Sequence, residues 1–139
     1  MTDERSAEQI TGFRGFQVPA TALDVETAVV CLGGSWQAYC DVAEAFLEHM
    51  ATVLPQLAPA VATSASLEDL VHDAGSSLGA VGAMQALGMA RAMEENLRRG
   101  NAPGANSLHG LRSAIEAAVA AVRAVTLEGG AGAGPLTRL

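Results

Sequence analysis

Between Trp36 and Val61, eight apolar residues recur at steps of three and four: Trp36, Tyr39, Ala43, Phe46, Met50, Val53, Leu57 and Val61. An α-helix, turning about 100° per residue, brings such a set onto one face. A helix this long with one apolar side must bury that side against other helices. The seam predicts a helix from Trp36 to about Ala62. Pro55 falls inside it. Its ring removes a backbone donor and crowds the preceding turn, so the helix should kink or split there.

Three more seams supply the partners. Leu67, Leu70, Val71, Ala74, Leu78 and Val81 form a stripe on a helix that ends near Gly82. Ala83, Leu87, Ala90, Met93 and Leu97 line a helix from Ala83 or Met84 to Arg99. Leu108, Leu111, Ile115, Ala118, Val119, Val122 and Val125 line a last one, capped by Asn106 or Ser107 and running to about Leu127. The punctuation agrees. Asp24 and Glu26 suit the first turn of a short helix over Asp24–Leu32. Gly33-Gly34 ends it, and Ser35 can cap the next. Thr63-Ser64-Ala65-Ser66 reads as a turn, with Ser66 and Asp69 resembling a capping pair. Asn101-Ala102-Pro103-Gly104 reads as a loop.

Half of the residues are apolar but only 4% are aromatic. Ala, Leu, Val and Met therefore fill the core, which favours close helix packing over a β-sandwich. The expected fold is all-α: an antiparallel up-and-down four-helix bundle with one or two short N-terminal helices. The chain's 139 residues suit one domain. Residues 1–12 are expected to be flexible, 13–127 to form the bundle, and 128–139 to be a flexible Gly-rich tail. Phe13, Phe16 and Val18 are expected to pin their segment against the bundle.

The net charge is −7 and the isoelectric point about 4.8. Nucleic acid and anionic membranes need basic patches, so neither is expected as a partner. No apolar run reaches the roughly 18 residues of a membrane span, and no signal peptide is recognised. Cys31 and Cys40 read as reduced core thiols of a cytoplasmic protein, with a redox pair as the other reading. His49 lies off its seam and reads as solvated or at an edge. His109 lies beside its seam and reads as structural or solvated. Neither has a partner at metal-ligand spacing, and no metal site is expected.

His72 differs from the other histidines. It lies roughly 140° from the middle of its helix's apolar stripe and faces outward. Gly75, Ser76 and Gly79 share its side. Each glycine costs up to ~1 kcal/mol of helix stability relative to Ala. The isolated helix gains nothing from them, so the small residues are expected to clear a surface on which a second protein can dock beside the imidazole. Glu94 and Arg98, four apart on the next helix, share a face and can pair.

The stretch from His72 to Asn101 resembles the histidine-containing phosphotransfer (HPt) domain of bacterial and fungal phosphorelays. That family's pattern is roughly H-x-x-K-G-S-x-x-x-x-G-A, then a helix with an L-E pair and a basic end. His72 aligns without a gap to Gly82-Ala83. Met93-Glu94 stands at the L-E pair, and Arg98-Arg99-Gly100-Asn101 closes the helix. Leu23–Met50 is similar to the family's entry: short helix, Gly-Gly turn, long helix. The likeness spans about Leu23 to Thr126. It implies that His72 is the phosphoacceptor, with Gly75, Ser76, Gly79, Glu94 and Arg98 in support. It implies a bacterial, cytoplasmic, monomeric phosphocarrier rather than an independent enzyme. The partners would be a response-regulator receiver domain, a hybrid histidine kinase, or both. No cofactor of its own is implied, and Mg²⁺ is expected only in the receiver. Gly75 departs from the family's Lys, and Ser76 from its Gly. All eight basic residues of the chain are Arg. The departures leave two other readings: a docking module of HPt type that carries no phosphate, and a structural helical bundle.

Overall fold

The computed structural model describes residues 23–57 and 64–131, with backbone alone at 64–65 and 128–131. Five α-helices make up the described chain: α1 (Val25–Cys31), α2 (Trp36–Val53), α3 (Ser64–Ala80), α4 (Met84–Arg98) and α5 (Ala105–Ala131). A short 3-10 turn, Leu54–Gln56, follows α2. No strand occurs among the described residues.

Local chemistry accounts for most boundaries. The Asp24 carboxylate caps α1, accepting from the Thr27 amide at 3.2 Å. Gly33 and Gly34 take φ of +77° and +81°, which favours glycine, and they end α1. Ser35 Oγ accepts from the Ala38 amide at 3.0 Å and starts α2. Pro55 splits the long seam, as its missing donor requires: α2 stops at Val53 and tightens into the 3-10 turn. The expected continuation to Ala62, with Val61, lies outside the described residues.

Two boundaries differ from the sequence expectation. α3 begins at Ser64, so Ser66 sits inside its first turn and not at its cap. Ser64-Ala65-Ser66 contains no residue that breaks a helix, and the turn expected there is absorbed. α5 begins at Ala105 because the Gly104 carbonyl already accepts from the Leu108 amide at 3.1 Å. Neither Asn106 nor Ser107 is its cap. It runs on to Ala131, through residues expected to be tail. Residues 132–139, the remainder of that tail, lie outside the described residues. So do 1–22, with the expected flexible 1–12 and the anchors Phe13, Phe16 and Val18.

The apolar seams meet as their periodicity predicts. α3 packs most extensively on α4; α2 packs on α3, α4 on α5, and α5 returns to α2. α1 lies against α2. Phe46, Met50, Ala74, Ile115 and Val122 are buried. Leu70 and Leu87, also expected in the core, are only half-buried and pack at its margin.

Two long-range ties anchor the C-terminal end of α3. Tyr39 is fully buried, stacks on Trp36 with ring centroids 5.4 Å apart, and donates its hydroxyl to the Val81 carbonyl at 3.0 Å. That carbonyl lies just past the end of α3, where helices leave acceptors unpaired. Burial, and to a lesser extent the neighbouring Cys40, pushes the Tyr39 phenol far above its ordinary range. Gly82 turns the chain from α3 into α4 with φ +85°. Its carbonyl accepts from the Asp24 amide at 2.7 Å, and a Cβ on Gly82 would collide with the Asp24 backbone. No helix among the described residues is long and apolar enough to cross a membrane.

Candidate functional site

His72 stands on the rim of α3 nearest α4, its side chain 60% exposed. Facing it is Glu94 of α4, whose side chain is only 8% exposed. The buried residues of α4 are Ala86, Ala90, Met93, Glu94 and Leu97. Glu94 therefore flanks the apolar seam and is drawn under the imidazole. A buried carboxylate must be paired. Glu94 Oε2 accepts from His72 Nδ1 at 2.7 Å and from Arg98 Nη2 at 2.5 Å. Arg98 folds back one turn to reach it. The same guanidinium lies 3.6 Å from Glu68 and 3.8 Å from Glu95. Arg99 also pairs with Glu95, at 3.2 Å.

This arrangement sets the chemistry of the ring. An ionised carboxylate can only accept, so the proton of neutral His72 sits on Nδ1. The lone pair is left on Nε2. Nε2 has no partner among the described residues, and the ring is largely in solvent. The result is an oriented nitrogen nucleophile.

The structure brings His72, Glu94 and Arg98 together, and places the two glycines elsewhere than expected. Gly75 and Gly79 do not bare an outer surface. Gly75 is buried; a Cβ there would meet Leu87 at 3.6 Å and Ala90 at 3.8 Å. Gly79 is half-buried, and a Cβ would lie 3.4 Å from Leu87. Both face α4. Their smallness lets α3 and α4 approach closely, which in turn brings Glu94 to His72. Ser76 does remain exposed beside the imidazole, its hydroxyl 3.4 Å from the His72 carbonyl.

His72, Ser76, Arg91, Glu94, Glu95 and Arg98 line an open concavity of about 340 Å³. Arg91 was not legible as part of it. The signal available was its position three residues before Glu94, one turn away on the same side of α4.

The other candidates fall elsewhere. His49 is half-buried, with Nδ1 2.6 Å from Ser77 Oγ, so it links α2 to α3 and is not merely solvated. His109 is exposed. Cys31 is exposed rather than in the core, because α1 turns Val25, Ala28 and Val29 inward. Cys40 is half-buried and, like Cys31, a free thiol. Burial first, then the charge of Asp41, pushes the Cys40 thiol up. Among the described residues, no three His, Cys, Asp or Glu side chains are grouped to hold a metal ion.

No protein-family description, curated protein or solved structure matches this chain.

Proposed function

We propose that the protein is a histidine phosphotransfer protein of a bacterial two-component phosphorelay, carrying the phosphoryl group on His72 Nε2. The observation that carries this reading is the exposed imidazole held through Nδ1 by a buried carboxylate, with Nε2 open to solvent. The ring of contacts from α2 through α5 and back to α2 supports an antiparallel up-and-down four-helix bundle as the scaffold. The resemblance of the His72–Asn101 stretch to HPt domains points the same way.

In the proposed reaction the Nε2 lone pair attacks the phosphorus of a receiver's aspartyl phosphate. The N–P bond forms, the P–O bond to the aspartyl carboxyl breaks, and the aspartate leaves as a carboxylate with the bonding pair. The ring keeps its Nδ1 proton and becomes cationic, and Glu94 stabilises that charge. No proton need leave. Transfer onward reverses these steps. Mg²⁺ belongs to the receiver, and this chain needs no cofactor. It acts as a carrier, not as an independent enzyme, in the cytoplasm and as a monomer.

The test is incubation of the full chain with a panel of phosphorylated receiver domains. Wild type should take acid-labile phosphate, and His72→Gln, which keeps hydrogen-bonding capacity but lacks the nucleophile, should take none. One feature favours a second reading. Glu94 touches the imidazole, and Glu68 and Glu95 join it around Arg98, so that carboxylates would repel a phosphoryl dianion on the ring. A docking module would bind receivers through the same face without ever taking label.

A further inference from the structure

A phosphoryl group on His72 would bring about two negative charges beside a carboxylate already in contact with the ring. Something cationic must answer it. The family's usual Lys is replaced by Gly75, and Gly75 points into α4. Arg98 is close, but three carboxylates hold it: Glu94, Glu68 and Glu95. Moving Arg98 onto a phosphoryl group would strip the buried Glu94 of one of its two donors. Arg99 is paired with Glu95.

Arg91 is placed differently. It lines the same concavity as His72 and Ser76. It is exposed, and no hydrogen bond or ion pair ties it to another described residue. Its five donors are therefore available, in a planar fork suited to phosphate oxygens. It belongs to the same helix as Glu94, so the geometry that presents the nucleophile also presents the cation. Ser76, across the concavity on α3, adds a neutral hydroxyl.

We infer that Arg91 is the phosphoryl-binding cation of this site, replacing the missing Lys, while Arg98 holds Glu94 in place. The inference rests on the phosphocarrier reading. Arg91 binds the equatorial oxygens of the group in transit. It takes no part in the bonds made and broken, which remain N–P formation and P–O cleavage from an aspartyl phosphate, or P–N cleavage from a phosphoramidate.

A small donor tests this without a receiver surface. The full chain is incubated with phosphoramidate, and phosphate on His72 is followed by ³¹P NMR. Ammonia leaves as the N–P bond to the ring forms. Arg91→Gln should slow labelling about tenfold, ~1.4 kcal/mol of barrier. Arg91→Lys, which keeps the charge, should recover most of the rate. The slowing should shrink in high salt, as a charge effect on an exposed site does. Thermal melting of both variants should match wild type, since no described residue is hydrogen-bonded or ion-paired to Arg91. If wild type is labelled and Arg91→Gln is labelled equally fast, the Arg91 assignment is wrong and the carrier survives. Equal slowing in Arg91→Gln and Arg91→Lys would also overturn it, because charge would not be what matters. If wild type takes no label from phosphoramidate or from receivers, the carrier reading fails and this inference goes with it.

Discussion

At the scale of single residues, the site turns on one oxygen. Glu94 Oε2 is shared by His72 Nδ1 and Arg98 Nη2. Glu94→Gln tests what that oxygen does. An amide can present either its oxygen or its NH₂ to the ring, so it no longer forces the proton onto Nδ1. ¹⁵N NMR of the ring should move from one dominant tautomer to a mixture, and phosphate labelling should slow. Stability should change by less than about 1 kcal/mol, because both partners of Glu94 are more than half exposed. An unchanged tautomer would mean that Glu94 does not orient the ring. The pairing of Glu94 with Arg98 was legible from their four-residue spacing, and their nearness to His72 from the family resemblance. The burial of Glu94 was not legible, because periodicity assigns charged residues outward unless a partner is known. Arg91 was one exposed arginine among several, and only the concavity singles it out.

At the scale of elements, glycines decide how close α3 and α4 come. A helical projection gives the angle of Gly75 and Gly79 but not which neighbour covers them. Read alone, it left them facing a docking partner; in the fold they face Leu87 and Ala90. Gly79→Ala should still stabilise α3 by up to ~1 kcal/mol, because its Cβ reaches only the end of the Leu87 side chain. Gly79→Leu should instead wedge the helices apart and lower the melting temperature together with any transfer. If Gly79→Leu melts like wild type, the close approach is not what that glycine provides. Gly82 is stricter. Gly82→Ala meets both a positive φ and the Asp24 backbone, so it should cost at least ~1–2 kcal/mol in a denaturant titration. Boundaries made by special residues were readable in advance: Gly33-Gly34, Ser35 and Pro55. The start of α3 and both ends of α5 were not. Those ends depend on small differences among residues that all tolerate a helix. Gly129 and Gly130 cost about 1 kcal/mol each, too little to stop α5 where the composition changes.

At the scale of the whole molecule, the seams were the legible part, because burying four apolar stripes leaves few arrangements. Phe46, only 2% exposed in the centre of α2, measures that core: Phe46→Ala should cost roughly 3–5 kcal/mol. The tie between Tyr39 and Val81 was not legible, since 42 residues separate them. It gives the fold an alkaline limit. In the unfolded chain the phenol loses its proton near its ordinary value of 10.0. In the folded chain burial keeps it protonated well above that. Below about pH 10 both states hold the proton and Tyr39 contributes no pH dependence. Above it the unfolded state binds fewer protons than the folded one, so unfolding becomes progressively easier as pH rises. Wild type should therefore lose stability as pH rises above about 10, measured by urea titration at each pH. Tyr39→Phe should lack the tyrosine part of that loss. At neutral pH the same variant should be weaker by ~1 kcal/mol, the worth of the bond to the Val81 carbonyl. The chain has one Tyr and no Lys, so phenolate absorbance reports Tyr39 alone, without lysine titration beneath the stability curve. Phenolate should appear only with unfolding. If it appears near the ordinary value while the helical signal and melting temperature hold, Tyr39 is not buried as described, and the tie across the end of α3 is absent in solution.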